Sequence, residues 1–181
     1  MVSMSNNLSE ILISADEIAN RIKNVAYKIK RDYSDELPVF LPVLTGAFIF
    51  SSDLIRQFNP SPEVEFIKAS SYGADTESSG KVRIEGINDV SVTGKRVLII
   101  EDIIDTGLTM LKLTEQLDKL EPKDIRVVTL LDKHERREHD FEADYVGFSI
   151  PNHFVVGYGM DYNQMYRGLS DIWKLEVSEE K

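Results

Sequence analysis

The chain has 181 residues, of which 42% are hydrophobic and 29% are charged, and it contains no cysteine. This composition is typical of a single globular domain, and the missing cysteines exclude disulfides, thiolate metal sites and cysteine nucleophiles. The 21 basic and 31 acidic residues give a net charge of −10, which argues against binding nucleic acid over a broad basic surface.

The chain also lacks the sequence features of a membrane or secreted protein. Its longest apolar runs, such as residues 97–100, fall far short of the roughly 20 residues that a membrane span needs. The first seven residues, MVSMSNN, have neither the basic nor the apolar region of a secretion signal and indicate a frayed start. Because a chain without cysteine suits a reducing compartment, we expect a cytoplasmic protein that binds no membrane.

The hydrophobic pattern predicts strands that alternate with helices. Ser14 and Glu17 form a capping box at the start of an amphipathic first helix. The apolar positions of this helix are Ile18, Ile22, Val25 and Ile29. A second helix follows Gly46, and a third ends before Pro122. Strands are predicted over residues 39–44, 64–72, 82–86, 96–100, 125–131, 145–150 and 154–158.

The order of these elements predicts the fold class. Strand, helix and strand at this spacing imply right-handed crossovers between parallel strands. We therefore expect an α/β fold, a single domain with a mostly parallel central sheet flanked by helices. The two ends of the chain would add a small cap to this sheet.

The segment with the clearest chemical signal is RVLIIEDIIDTGLTM, residues 96–110. A strand that is apolar on both faces leads into D-T-G-L-T, residues 105–109, and then into a helix. In a parallel sheet this loop lies at the carboxyl ends of the strands, where open α/β sheets bind ligands. The free NH groups of a helix N-terminus, together with Gly107, predict a phosphate-binding loop. The alternative is that Asp105 or Thr106 merely caps the helix.

Two adjacent carboxylates, Glu101 and Asp102, precede this loop. At the end of a buried strand they repel each other, and burying them is costly unless a cation or hydroxyl groups engage them. A ribose diol and Mg²⁺ would satisfy both, because Mg²⁺ favours one or two carboxylates together with substrate oxygens. The pair therefore predicts a site for a sugar and a magnesium ion.

The run VLIIEDIIDTGLTM resembles the phosphoribosyl-pyrophosphate signature of the hypoxanthine-guanine phosphoribosyltransferases. The segments LTGAFIF, SSYGADTESSG, LLDK and FVVGYGMDYNQMYRGL resemble that family's other segments in the same order, so the similarity covers about residues 8–173. It implies a type I phosphoribosyltransferase fold, a single domain over residues 1–181 with a hood formed by about 1–35 and 145–181.

The resemblance also implies an activity. A protein of this family transfers the 5-phosphoribosyl group from phosphoribosyl pyrophosphate to hypoxanthine or guanine in a Mg²⁺-dependent reaction of purine salvage. The products are IMP or GMP and pyrophosphate. Relatives form homodimers or homotetramers, so a homo-oligomer is expected.

Matching residues carry the family's roles onto this chain. Asp105 matches the proposed general base, and Glu101 and Asp102 match the acidic pair that holds the ribose hydroxyls and the metal. The 5′-phosphate loop would be Asp105, Thr106, Gly107, Leu108 and Thr109. Pyrophosphate would contact Leu44, Thr45, Gly46, Ser71, Tyr72 and Arg167. The purine would contact Ile103, Lys133, Phe154, Val155 and Asp161, and Asp161 would also lie close to a second metal.

Two positions depart from the pattern, because Leu108 and Thr45 stand where some members have lysine. Both loops are therefore expected to act through main-chain groups. In relatives the loop that corresponds to residues 44–46 contains a non-proline cis peptide. Residues 73–80 match a mobile lid that would exclude water from the reacting sugar, although the residues alone favour a solvated hairpin loop.

Lys133 carries the main argument for the choice of base. An ammonium group only donates hydrogen bonds, so it favours a purine with a 6-oxo group over one with a 6-amino group. The simpler alternatives are a solvated lysine, a core phenylalanine at Phe154, and a surface ion pair for Asp161 or Arg167. The histidines of the charged stretch KHERREH, residues 133–139, are interpreted as surface residues.

Two other functions stay open at this point. A protein of this fold can bind phosphoribosyl pyrophosphate as a signal that regulates transcription or RNA, but such a protein would be expected to carry a DNA-binding domain or a basic surface. A different base, such as xanthine, is the other alternative, because the sequence does not rank the 6-oxopurines.

Overall fold

A computed structural model describes residues 8–71 and 82–176, with the exception of the Ser71 side chain. Three predictions lie outside the described residues. They are the frayed start at residues 1–7, the pyrophosphate contact of Tyr72 and the mobile lid at residues 73–80.

The described residues form nine strands and three α-helices. The strands are β1 (Leu8–Ile13), β2 (Val39–Leu44), β3 (Ile67–Ser71), β4 (Val82–Glu85), β5 (Arg96–Ile104), β6 (Asp124–Asp132), β7 (Tyr145–Ser149), β8 (Val155–Val156) and β9 (Ile172–Leu175). The helices are α1 (Ala15–Asp32), α2 (Phe48–Ile55) and α3 (Leu108–Leu117). Two short 3₁₀ segments, Asp118–Leu120 and His134–Arg136, follow α3 and β6.

The main sheet has six strands in the order β4-β3-β2-β5-β6-β7. All neighbours are parallel except β3 and β4, which pair antiparallel. A second, antiparallel sheet has the order β1-β9-β8 and joins the two ends of the described chain. The predicted α/β fold with a mostly parallel sheet is therefore confirmed. The division into one domain with a hood over 1–35 and 145–181 stays a prediction.

Strand β5 explains how the layers form. Its residues Val97, Leu98, Ile99 and Ile100 are all fully buried, because successive side chains of a strand point to opposite faces and both faces are covered. Leu98 and Ile100 pack in the cluster that contains α1 and α2, whereas Val97 and Ile99 pack in the cluster that contains α3. Helices thus flank both faces of the sheet.

The first helix begins as predicted. The Ser14 side chain accepts a hydrogen bond from the NH of Glu17, and the Glu17 carboxylate accepts one from the NH of Ser14 at 2.9 Å. Ile18, Ile22 and Ile29 of the same helix are buried in the core. The capping box therefore positions an apolar face against the sheet.

Several predicted boundaries are wrong. Strand β5 continues past Ile100 to Ile104, because its pairing with β6 extends to Ile104 opposite Asp132. Strand β8 ends at Val156 because Gly157 and Tyr158 have positive φ angles, which a strand does not accommodate.

Other boundaries differ for local reasons. Strand β3 begins only at Ile67, since Val64 forms an isolated bridge to Phe40. Strand β4 ends at Glu85 because Gly86 has φ of 84°. Strands β1 and β9 were not predicted. The burial of β1 does not alternate along the strand, so its sequence lacks the two-residue period. Over the described ranges, no helix is both long enough and apolar enough to span a membrane.

We predict that Gly147→Ala destabilises the protein. A Cβ at Gly147 of β7 would lie 2.4 Å from the carbonyl oxygen of Leu130 on β6, so the two paired strands would have to separate. Overpacking of this kind costs about 1–3 kcal/mol, and urea unfolding should measure the loss. The control is Gly168→Ala, where no described atom lies within 4 Å of the new methyl group. Equal unfolding midpoints for both variants would contradict the close packing of β6 and β7.

Candidate active site

Three loops meet at one edge of the main sheet. Because β2, β5 and β6 are parallel neighbours, their carboxyl ends lie side by side. Residues 44–46 lie at the end of β2, residues 105–109 lead from β5 into α3, and Lys133 follows β6. The structure therefore brings together most of the residues that the sequence singled out, at the position expected for a ligand site.

The loop after β5 ends at the start of α3. Gly107 occupies the N-cap position of α3 with φ of 86°, a left-handed conformation that suits glycine. No described side chain caps the helix in the usual way, and Thr106 Oγ1 accepts only a long contact of 3.4 Å from the NH of Leu108. Of the two caps that the alternative allowed, Asp105 makes no capping hydrogen bond, and Thr106 makes only this long contact from outside the N-cap position. The helix N-terminus keeps its amide donors for another partner.

The carboxylate of Asp105 faces two cations. Lys133 Nζ lies 4.0 Å from Oδ2, and Arg136 Nε lies 3.1 Å from Oδ1. Oδ1 is shielded from solvent and its contact with Arg136 lacks hydrogen-bond geometry. Lys133 is itself buried, with its NH bound to the carbonyl of Ile104 at 2.9 Å, and burial lowers the pKa of its ammonium group. The alternative of a solvated lysine is therefore wrong.

The acidic pair lies inside β5 rather than after it. Glu101 and Asp102 are each only 8% exposed, and Oε2 of Glu101 has no hydrogen-bond partner among the described residues. Burial raises the pKa of both carboxyl groups, and the charge of Asp102 raises that of Glu101 further. A buried carboxylate without a partner is costly, so this pair fits a cation.

The predicted metal residues do not form one three-carboxylate group. Within the described ranges, no three or more His, Asp or Glu side chains are placed to hold a metal ion together. Asp161 is instead bound to Arg167. Any divalent ion at Glu101 and Asp102 would therefore need further oxygen ligands from a substrate or water.

The loop after β2 is packed too tightly for a side chain at Gly46. A Cβ there would lie 2.1 Å from Oδ2 of Asp102, and a Cβ at Gly159 would lie 2.2 Å from the carbonyl oxygen of Gly46. Gly159 also has φ of 103°, which favours glycine. The peptide bond between Leu44 and Thr45 is cis. The acidic pair, the loop after β2 and the turn at Gly159 thus form one packed unit.

Arg167 connects Asp161 to this unit. Its Nη1 donates a hydrogen bond to the carbonyl of Gly159 at 2.7 Å, and its Nη2 lies 2.7 Å from Oδ1 of Asp161. The other Asp161 oxygen accepts a hydrogen bond from the NH of Gln164 at 2.8 Å. The two residues do form an ion pair, as the simpler alternative held, but both are partly buried and they border the predicted pyrophosphate loop.

The Phe154 side chain is exposed to solvent. The residue is 46% exposed, and its ring meets Tyr162 edge-on with centroids 5.6 Å apart. A core phenylalanine, the simpler alternative, is therefore wrong. Val155 is buried beside it, and Ile103 of β5 is half-buried. The structure describes only the backbone of Ser71, at the end of β3.

Sequence reasoning missed Arg136 and Arg137. Arg136 contacts the Asp105 carboxylate, and Arg137 Nη1 donates a hydrogen bond to the Asp105 carbonyl at 2.7 Å. Both belong to the charged stretch KHERREH, residues 133–139. Their contacts follow from the pairing of β6 with β5, which the sequence of this stretch does not reveal.

Comparisons with known proteins agree with this geometry. The phosphoribosyl transferase domain family matches residues 11–163. The hypoxanthine-guanine phosphoribosyltransferase of Bacillus subtilis is 44% identical over 173 residues, which are 96% of each chain.

Solved structures give the same result. A hypoxanthine phosphoribosyltransferase from Staphylococcus aureus is 42% identical and superposes with a TM-score of 0.87, over 97% of this chain and 96% of that one. A hypoxanthine-guanine phosphoribosyltransferase from Bacillus anthracis also has a TM-score of 0.87, with 44% identity over 93% of this chain and 99% of that one. The chain therefore belongs to the phosphoribosyltransferase family, among the hypoxanthine-guanine phosphoribosyltransferases.

Proposed function

We propose that this protein transfers the 5-phosphoribosyl group from phosphoribosyl pyrophosphate to hypoxanthine or guanine, giving IMP or GMP and pyrophosphate. The observation that carries this proposal is the arrangement on β5. A buried acidic pair, Glu101 and Asp102, is followed two residues later by an amide-rich turn, and Lys133, directly after the neighbouring strand β6, lies beside Asp105. Sugar, phosphate and base each have a chemically suitable partner at one edge of the sheet.

The loop from Asp105 to Thr109 would hold the 5′-phosphate of the nucleotide. A chain with a net charge of −10 cannot attract phosphate through its overall field, so the binding must be local. Backbone NH groups at the start of α3 and the hydroxyls of Thr106 and Thr109 supply such local donors. Leu108 in place of a lysine is compatible with this, because main-chain groups do the binding.

Glu101 and Asp102 would hold the ribose hydroxyls and a Mg²⁺ ion. The buried oxygen of Glu101 without a partner fits this donor set. When bound, Mg²⁺ offsets the repulsion of the carboxylates and of the pyrophosphate charge. Asp161 would act at a second metal site, separate from the pair on β5.

Pyrophosphate would be bound by the loop after β2 and by Arg167. Leu44, Thr45 and Gly46 offer main-chain groups next to Asp102, and Arg167 offers a planar fork of donors. Ser71 and Tyr72 are proposed as further contacts at the end of β3.

The purine would stack on the exposed face of Phe154. Stacking on an aromatic ring contributes about 1–3 kcal/mol, and Val155, Ile103 and Asp161 would border the base. Lys133 would donate to the 6-oxo group, and because it is buried its discrimination against a 6-amino group is strong. Asp105 would accept the proton that leaves the purine nitrogen. The homodimer or homotetramer and the cytoplasmic location remain predictions.

Pyrophosphate release with each base in turn tests the function and the role of Lys133. The wild type should release pyrophosphate with hypoxanthine or guanine and not with adenine or uracil. A parallel assay with xanthine shows whether this third 6-oxopurine is also a substrate. Lys133→Met keeps the length of the side chain but removes the donor. We predict that it lowers kcat/KM for hypoxanthine and guanine roughly 10- to 100-fold, the value of a hydrogen bond to a charged group.

The assay distinguishes a failure of the proposed activity from a failure of the proposed role of Lys133. If none of the bases leads to pyrophosphate release, the protein only senses phosphoribosyl pyrophosphate. Release by the wild type together with unchanged base selectivity in Lys133→Met would retain the activity but remove Lys133 from base recognition.

We predict that Asp105→Asn strongly lowers kcat while the protein stays folded. The amide keeps the shape of the side chain but cannot accept the purine proton, and acid-base assistance supplies roughly 10²- to 10⁴-fold. Steady-state kinetics with circular dichroism as a check on folding measures the effect. The matched control is Asp118→Asn, an exposed aspartate after α3. Undiminished turnover in Asp105→Asn would remove this residue from the role of base.

We predict that Glu101→Gln stabilises the metal-free protein at neutral pH. Because burial raises the folded-state pKa of Glu101 above the unfolded value of about 4.3, stability falls as pH rises from about 4 towards that raised pKa. Glutamine has no charge to bury, so between about pH 4 and the raised pKa of Glu101 the variant should be more stable than the wild type. Below this pH range the two proteins should be equally stable.

Thermal unfolding in the presence of a chelator, at several pH values, measures this gain. The control is Glu10→Gln, whose carboxylate is 61% exposed and should behave as the wild type does. The same Glu101→Gln variant should lose activity. A variant that is less stable than the wild type at pH 7 and no different in activity would contradict the cost of the buried pair.

A further inference from the structure

Arg137, for which the sequence predicted no role, lies against the loop after β5. Its side chain is 11% exposed. One guanidinium nitrogen donates to the carbonyl oxygen of Asp105 at 2.7 Å, and another pairs with the carboxylate of Asp132 at the end of β6. The planar group thus bridges the ends of two neighbouring strands.

The residues after Arg137 bind the next carbonyl of the same loop. The NH groups of Glu138 and His139 both donate to the carbonyl oxygen of Thr106, each at 3.1 Å. Gly107 is also in contact, because a Cβ there would lie 3.0 Å from Cδ of Arg137. Two consecutive loop carbonyls are therefore held by one short segment, residues 137–139.

Holding these carbonyls fixes the direction of two amides. The carbonyl of Asp105 shares its planar peptide unit with the NH of Thr106, and the carbonyl of Thr106 shares its unit with the NH of Gly107. In a trans peptide the two groups point in opposite directions. The NH groups of Thr106 and Gly107 therefore point away from residues 137–139, and no described residue accepts a hydrogen bond from either.

We propose that Arg137 is a positioning residue for the 5′-phosphate. Through the carbonyl of Asp105 it orients the amide of Thr106 towards the phosphate, beside the amide of Gly107 that the NH groups of Glu138 and His139 orient through the carbonyl of Thr106. This inference rests on the proposed function of the loop. A buried ion pair with Asp132 would not by itself require an arginine, but bridging a carboxylate and a carbonyl with one rigid fork does.

The test compares two ligands that differ only in the phosphate. Calorimetry measures the Kd of GMP and of guanosine for the wild type, Arg137→Ala and Arg137→Lys. In the wild type GMP must bind more tightly than guanosine, and equal affinities would refute the proposed phosphate loop itself. The proposal about Arg137 is judged only on a wild type that discriminates.

We predict that Arg137→Ala weakens GMP binding roughly 10- to 100-fold, in line with a lost hydrogen bond to a charged group, and leaves guanosine binding unchanged. Millimolar guanidinium chloride should restore part of the GMP affinity. In kinetics, KM for phosphoribosyl pyrophosphate should rise while KM for the base does not. A purely structural role would weaken both ligands alike, and that result, or unchanged GMP affinity, would overturn the proposal.

Arg137→Lys decides the question if the alanine variant does not fold. Lysine keeps the charge next to Asp132 but cannot bridge both acceptors with a fixed fork, so a selective loss of GMP affinity is expected here too. Full GMP affinity in this variant would overturn the proposal. The matched control is Arg96→Ala. Arg96 begins β5, its side chain is 20% exposed, and it pairs with Asp35 at 2.8 Å. Its loss should not change the ratio of the Kd of GMP to the Kd of guanosine.

Discussion

The pairing register of β5 with β6 is the constraint on which the site depends. Ile104 lies opposite Asp132, so the turn after β5 and the segment that begins with Lys133 emerge side by side. A shift of one residue would turn every side chain of β5 to the other face of the sheet. Glu101 would then leave its position, and Lys133 would no longer lie near Asp105. Leu98 and Ile100 pack in one core cluster and Val97 and Ile99 in the other, so a shift would force both clusters to repack.

The site is crowded where its loops approach each other, and glycine makes this possible. Gly46 leaves no room for a side chain beside Asp102, and the turn at Gly159 fits directly onto Gly46. Arg167 is bound to the carbonyl of that turn, so the loop after β2, the acidic pair and the arginine form a continuous packed chain. The same compactness leaves two carboxylates buried with raised pKa values, which costs stability where a sugar and a cation are expected to bind.

Some of this arrangement could be predicted from the sequence, where a local pattern determined the structure. The capping box at Ser14 was correct because it depends on neighbouring residues. The bounds of β2 were also correct, but the expected interruption at Pro42 was wrong, because Pro42 pairs with Ile100 of β5. The end of β5 was not, because its last four residues are strand only through pairing with β6. The exposure of Phe154 and the contacts of Arg136 and Arg137 depend on segments that are distant in the chain. Charged residues in a run such as KHERREH are usually solvated, so no local signal distinguished the two arginines.

The arginines of the site contact the protein's own carboxylates. Arg137 is paired with Asp132, Arg136 contacts Asp105, and Arg167 is paired with Asp161. These arginines therefore act first on the protein, where they hold carbonyls and carboxylates in fixed positions. The donors left for a phosphate are the amides at the start of α3, which carry no net charge and whose burial costs less than that of an ion. In the proposed site, preorganised amides thus take the place of a basic surface in binding the 5′-phosphate.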